Sequence, residues 1–152
     1  MVAPIIVLQA PARAEYIRKG RSLMRLDPDC VRDILLEIES KVTFDETYDY
    51  QTTQTAEGRL AAYSPEEIIY HIRQCDLNGF LYCTNWVIID DGVSVQDLTP
   101  KGHEFLANIR SDTFFQKVKN ICKELGLYAL KDFENVAINC AMVLIKSYFQ
   151  MH

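Results

Sequence analysis

The stretch SPEEIIYHIRQCDLNGFLYCTNWVIIDDGVSVQDLTPKGHEFL, residues 64–106, decides the fold of this chain. Ser64 can cap a helix, and Glu67 three residues later completes a capping box around an intervening proline. Asn78-Gly79 offers the left-handed conformation that ends a helix. The pattern therefore predicts a helix over residues 65–78. Its inward face carries Ile68, Ile69, Ile72 and Cys75.

The residues after this helix have the pattern of a β-hairpin. Residues 80–98 are rich in aromatic and β-branched side chains, and they alternate in polarity toward the end. Asp91-Gly92 is a dipeptide typical of hairpin turns. Thr99-Pro100 repeats the cap followed by proline, so a further helix begins there with Phe105 and Leu106 inside.

The flanking segments complete the element order of a winged helix-turn-helix. Asp27-Pro28 is another cap with proline and predicts a first helix over residues 27–40. Residues 41–62 predict a strand and then a short or irregular helix. Ser111 and Gly126 bound a later helix. We expect the first of these helices to bury Val31, Ile34, Leu35 and Ile38, and the later one Phe114, Phe115, Val118, Ile121, Cys122 and Leu125. The fold predicted is α+β, a winged helix-turn-helix with additional C-terminal helices.

The last segment is apolar around most of a helical circumference. Residues 132–149 read DFENVAINCAMVLIKSYF, which is shorter than the ~20 apolar residues that a bilayer requires. Such a helix must be buried on several sides. We therefore expect residues 132–150 to form a homodimer interface and not a membrane span. The chain then divides into an extension over 1–23, a winged-helix domain over 24–111 and a helical dimerisation segment over 112–152.

One stretch of the sequence resembles the sequences of a known family. DLTPKGHEFLANIRSD at residues 97–112, preceded by EEIIYHI and by MRLDPDCVRDILLEIE, resembles the bacterial and phage family called domain of unknown function 2513. The resemblance covers residues 24–125. It implies a winged-helix-like fold in a protein often encoded on phages and other mobile elements, and it implies no activity. Cys75 stands where the family usually has a leucine-type residue, and a tryptophan is usual near Phe115.

The composition is that of an ordinary globular protein with an acidic body. Of the 152 residues, 49% are hydrophobic and 24% charged. The five cysteines are an odd number without close pairs, which indicates a reduced, cytoplasmic protein. Residues 1–23 hold Arg13, Arg18, Lys19 and Arg21 against Glu15. These residues have a net charge of +3. Since the net charge of the whole chain is −5, residues 24–152 have a net charge of −5 − 3 = −8.

The N-terminal residues have the weakest pattern. Residues 1–12 are apolar, but two prolines interrupt them and no basic segment precedes them, so they make a poor signal peptide. One hypothesis is that Met24 is the natural start and that the basic residues 18–21 are a translated ribosome-binding site. The alternative is an arm that binds a partner.

The helix over residues 64–79 would read the major groove in a DNA-binding winged helix. Arginine pairs there with guanine, and glutamine or asparagine with adenine. The candidate DNA- or partner-binding residues are Tyr70, His71, Arg73, Gln74, Asn78, Trp86 and Lys101. They predict a non-enzymatic, transcriptional-regulator-like protein of a phage or mobile element. The acidic body opposes this function, because basic faces supply most of the affinity for phosphate.

The same acidic surface suits a protein partner. Several tyrosines and Trp86 accompany the acids, as at interfaces with basic proteins. The alternative function is therefore a module that modulates or inhibits a host nucleic-acid-handling or defence protein, as a DNA mimic or an anti-CRISPR-like protein would.

Metal binding and catalysis have little support. His71, Cys75, Cys83 and His103 could form a zinc set, but their spacing is irregular and Cys75 belongs to the apolar stripe. We predict no metal and no cofactor, and expect His103 to hold the hairpin to the next helix. The sequence contains no glycine-rich phosphate loop, and its acid pairs are explained by a helix start and a turn. We predict that the chain is not an enzyme.

Overall fold

The computed structural model describes residues 24–87, 89 and 91–152, so the predictions for residues 1–23, and for positions 88 and 90 of the hairpin, lie outside it. Within the described residues the fold is α+β, as predicted, with five α-helices and one three-stranded sheet. The elements in order are α1 (Pro28–Lys41), β1 (Tyr48–Gln51), a 3₁₀ helix (Gly58–Ala62), α2 (Pro65–Leu77), β2 (Leu81–Val87), β3 (Gly92–Leu98), α3 (Pro100–Ile109), α4 (Asp112–Leu125) and α5 (Leu130–Met151). The strand and short helix expected between residues 41 and 62 are confirmed as β1 and the 3₁₀ helix.

The predicted caps fix where the helices begin. The Ser64 hydroxyl accepts a hydrogen bond from the Glu67 amide at 3.2 Å, and the Glu67 carboxylate accepts one from the Ser64 amide at 2.8 Å. This capping box satisfies amides that the first turn of α2 leaves without helical partners. Asp27, Thr99 and Ser111 accept in the same way at the starts of α1, α3 and α4.

The sheet has the order β1-β3-β2, with both pairs antiparallel. Gly92 pairs with Val87 and with Gln51, so it belongs to β3. Of the predicted turn dipeptide, Asp91 lies in the connection with a positive φ of 43°, and Gly92 is the first residue of β3. Trp86 pairs with Val93, and its side chain hydrogen-bonds to Asp76 of α2.

A single core lies between the inner face of the sheet and the helices. The predicted inward residues of α1 are all buried. The ring of Phe80 stacks on Phe105 with centroids 4.7 Å apart, and Phe105 meets Phe133 edge-on at 6.1 Å. Phe133 also meets Phe115 of α4. The first half of α5 is therefore part of the same core as α3 and α4.

Two helices depart from their predicted burial. Leu125 was expected inside, yet it is 65% exposed, because the last buried residue of α4 is Cys122 and the chain turns away at Gly126. The α5 helix is buried only at Leu130, Phe133, Glu134 and Ala137. From Met142 onward every residue of α5 is exposed. Searched over the described residues, no helix has the length and apolar character needed to cross a membrane.

A glycine allows α3 to approach the start of the hairpin. A Cβ atom on Gly102 would lie 2.3 Å from the carbonyl oxygen of Phe80. That oxygen also accepts a hydrogen bond from the Thr99 amide. No larger residue fits there without moving the backbone, which accounts for the glycine of the TPKG motif.

Candidate binding face

The candidate site is the outward side of α2 together with the adjoining edge of the hairpin. Asp76 joins the two: its carboxylate accepts hydrogen bonds from the Thr84 hydroxyl and from the Trp86 indole nitrogen, each at 2.9 Å. Bonds to a charged acceptor are stronger than neutral ones. Asp76 therefore holds Trp86 in one orientation beside α2.

Three of the predicted residues come together at this edge. The Arg73 guanidinium lies 4.9 Å from the centroid of the Trp86 ring, a cation–π contact. Tyr70 lies one helical turn before Arg73, and the three side chains line a cleft of about 400 Å³ between α2 and the hairpin. We call this surface, Tyr70, Arg73 and Trp86 with the neighbouring Gln74, the α2–hairpin face. Gln74 is half-buried on the same helix.

His71 has a structural position. It is 2% exposed, its Nε2 accepts a hydrogen bond from the Asp27 amide at 2.8 Å, and its Nδ1 lies 2.7 Å from the Glu67 carbonyl oxygen. Nδ1 is therefore the donor nitrogen, and both ring nitrogens are used within the chain. His71 follows Ile68 by three residues and precedes Cys75 by four, so the spacing places it on the buried face. The prediction that His71 is a DNA- or partner-binding residue overlooked this spacing.

Asn78 and Lys101 are engaged by a buried acid of α5. Glu134 is 5% exposed, and its Oε2 accepts a hydrogen bond from the Asn78 amide nitrogen at 2.9 Å. The Lys101 ammonium lies 3.6 Å from the same oxygen and donates to the Asn78 carbonyl at 2.7 Å. Lys131 adds a second cation at 3.5 Å. We call Asn78, Lys101, Lys131 and Glu134 the Glu134 cluster.

Two other arginines of the chain are paired with acids of α1. Arg110 pairs with Glu39 at 2.6 Å, and Arg59 lies 3.6 Å from Glu37. Two acids, Glu66 and Asp91, are exposed at the edge of the cleft. Among the residues that line the cleft, Arg73 is the cation, and Glu66 and Asp91 are the two acids.

The hypothetical zinc residues are dispersed. In the part of the chain that the structure describes, no three His, Cys, Asp or Glu residues are grouped to hold a metal ion. Cys75 is fully buried in the core, and burial raises the pKa of its thiol. His103 Nε2 lies 3.4 Å from Asp97 at the end of β3, which confirms that His103 contacts the hairpin from α3.

Sequence reasoning missed Asp76 and Glu134. Each had a signal. Asp76 lies near the C-terminal end of a helix, where the helix dipole disfavours an acid that has no specific partner. Glu134 interrupts the apolar stripe of α5, and a buried carboxylate requires paired donors. Neither signal identifies the partners, which come from β2 for Asp76 and mainly from the end of α2 and the start of α3 for Glu134.

The comparisons with known proteins identify a family for this chain but no individual relative. No curated protein and no solved structure matches the chain. A family model described as "Hypothetical protein (DUF2513)" matches residues 25–128, which is more than half of the chain. The match includes α1, the sheet, α2, α3 and α4. It ends before α5. The chain therefore belongs to the DUF2513 family.

Proposed function

We propose that the chain is a winged helix-turn-helix protein. The order α1, β1, short helix, α2, β2, β3 and the sheet order β1-β3-β2 support this proposal. The 3₁₀ helix takes the place of the second helix, and α2 takes that of the recognition helix. The hairpin β2–β3 is then the wing.

On this fold we propose a non-enzymatic, DNA-binding regulator, with the α2–hairpin face as the reading surface. The observation that carries the proposal is the exposure of Arg73 on the outward side of α2, with Tyr70 and Gln74 beside it. An arginine bidentate to guanine contributes about 1–3 kcal/mol of discrimination. The resemblance stated above supports a phage or mobile-element setting.

The cations that are paired with acids within the chain determine how strongly DNA binding should depend on salt. Each phosphate contact contributes about −0.9 to the slope of log affinity against log salt concentration. Since Arg59, Lys101 and Arg110 pair with acids in the chain, few contacts remain for each copy. We expect a shallow salt dependence and an affinity that relies on two copies bound to one pseudo-palindromic site, as pairing through residues 132–150 would allow.

Fluorescence anisotropy with genomic DNA fragments tests the proposal. At about 50 mM salt, Arg73→Ala should weaken binding about tenfold or more, and Arg73→Lys should recover only part because lysine lacks the bidentate fork. Lys117→Ala is the matched control, because it removes one exposed cation from α4, away from the face. Equal losses for Arg73→Ala and Lys117→Ala would contradict reading by α2.

A specific observation also favours the second candidate, binding to a basic protein. Glu66 and Asp91 stay exposed at the rim of a cleft lined by Tyr70 and Trp86, and such acid and aromatic surfaces suit basic partners. A host nucleic-acid-handling or defence protein is the class proposed. Absence of DNA binding at about 50 mM salt, with co-purification of a basic protein that Glu66→Gln weakens, would select this candidate.

A further inference from the structure

The C-terminal half of α5 exposes a continuous apolar face. Seven large apolar side chains between residues 142 and 151 are 49–80% exposed. They are Met142, Val143, Leu144, Ile145, Tyr148, Phe149 and Met151. At 3.6 residues per turn, all but Val143 fall on one side of the helix. The opposite side carries Asn139, Lys146, Ser147 and Gln150.

This face continues the stripe that is buried nearer the start of α5. Phe133 and Ala137 pack into the core, and Ala141, Leu144 and Tyr148 follow at helical spacing. Beyond Ala141 the described residues of the chain no longer cover the stripe. A helix of this kind needs a second apolar surface outside the subunit.

We propose that residues 138–151 of α5 bind the same segment of a second copy of the chain. Six side chains, each exposing roughly 100 Å², offer on the order of 600 Å² per copy. Stable interfaces take about 600–1,000 Å² from each partner, so this area, with the smaller exposed parts of Ile138 and Ala141, falls at the lower end of the usual range. The face contains no charged side chain, since Lys146 lies on the polar side. A self-complementary apolar surface fits a copy of itself better than a charged partner.

The spacing along the face is compatible with an antiparallel pair. Ile138, Met142, Ile145 and Phe149 are separated by four, three and four residues, an order that is the same from either end. Antiparallel helices related by a two-fold axis would set Met142 of one copy against Ile145 of the other, and Ile138 against Phe149. We expect this arrangement because the dipoles of antiparallel helices oppose each other. The sequence predicted a dimer interface over residues 132–150, and the structure narrows it to the part of α5 that the core of the subunit does not bury. The proposed pairing does not depend on DNA binding.

The mass of the full chain in solution tests the pairing. By size exclusion with light scattering, the wild type should have about twice its 17.5 kDa mass over a wide concentration range. Ile145→Glu should give a monomer with an unchanged circular dichroism spectrum, because Ile145 is 55% exposed in the single subunit. Gln150→Glu adds the same charge on the polar side of the same helix and should remain dimeric.

Several results would overturn the inference. A wild type that is monomeric at every concentration would do so, and so would equal dissociation by Gln150→Glu and Ile145→Glu. A monomer that pellets with phosphatidylglycerol vesicles would assign the face to a lipid surface. For the orientation, Ile138→Cys and Phe149→Cys chains should form a disulfide with each other when mixed. Disulfides of each variant with itself would instead indicate parallel helices.

Discussion

Replacing His71 by alanine should destabilise the fold far more than replacing any exposed histidine. The imidazole joins the start of α1 to α2, because it accepts from the Asp27 amide while Nδ1 donates to the Glu67 carbonyl. The Asp27 amide is part-buried, and leaving such an amide without its acceptor costs about 1–3 kcal/mol. Truncating a buried side chain adds a cavity cost of about 1–2 kcal/mol. We therefore expect His71→Ala to lower the free energy of unfolding by about 3 kcal/mol.

Urea and thermal unfolding followed by circular dichroism measure this loss. For a chain of this size, about 3 kcal/mol corresponds to a fall of roughly 10 °C in Tm. His103→Ala is the matched control, because His103 is exposed and its contact with Asp97 is a surface pair worth at most about 1 kcal/mol. Losses that are equal for the two histidines would refute the reasoning. So would a His71→Ala variant of wild-type stability whose DNA binding is lost, because His71 would then be a contact residue.

Two further predictions concern stability. Gly102→Ala should cost about 2 kcal/mol or more in urea unfolding, because its Cβ would lie 2.3 Å from the Phe80 carbonyl oxygen and this overlap outweighs the ~1 kcal/mol gain in helix propensity. A neutral or stabilised variant would show that α3 can shift. Burial, with the charge of Glu66 a smaller cause, raises the pKa of Tyr50 from 10.0 to about 12. The neutral phenol is thus favoured in the folded state, so stability should be full below pH ~10 and fall as the pH rises toward ~12. Tyr50→Phe should remove part of that fall, and an identical pH profile for the variant would contradict the assignment.

Local signals were enough to predict most of the elements. Capping groups at Ser64 and Thr99 act within one helical turn, so their partners can be identified from spacing alone. The strand over residues 48–51 could be expected but its place in the sheet could not, because β1 pairs with β3 across some forty residues of chain. The hairpin and Asp91 in its turn could be predicted, but the register that sets Trp86 opposite Val93 could not, because the residues alone do not fix the length of the connection.

The site was less accessible to sequence reasoning, for a related physical reason. A polar side chain on a helix can face solvent or satisfy a buried group, and only the tertiary partner decides which. Asn78 and Lys101 have the chemistry of DNA contacts, yet Glu134 engages both from 33 or more residues away in sequence. Arg73 and Trp86 meet because Asp76 orients the indole, a contact that neither spacing nor composition contains.

The Glu134 cluster makes α5 an integral part of the subunit, so the helix cannot be removed without disturbing the rest of the fold. Deleting the helix to dissect function would remove the carboxylate that Asn78 and Lys101 share, and would uncover the rings that Phe133 covers. Such a truncated chain would be destabilised because its core is exposed and Lys101 has lost its carboxylate partner. This loss of stability would occur whatever the function of the last eleven residues of α5. Dissection must therefore proceed by point changes on the outer surface of this helix, which leave its inner anchor in place.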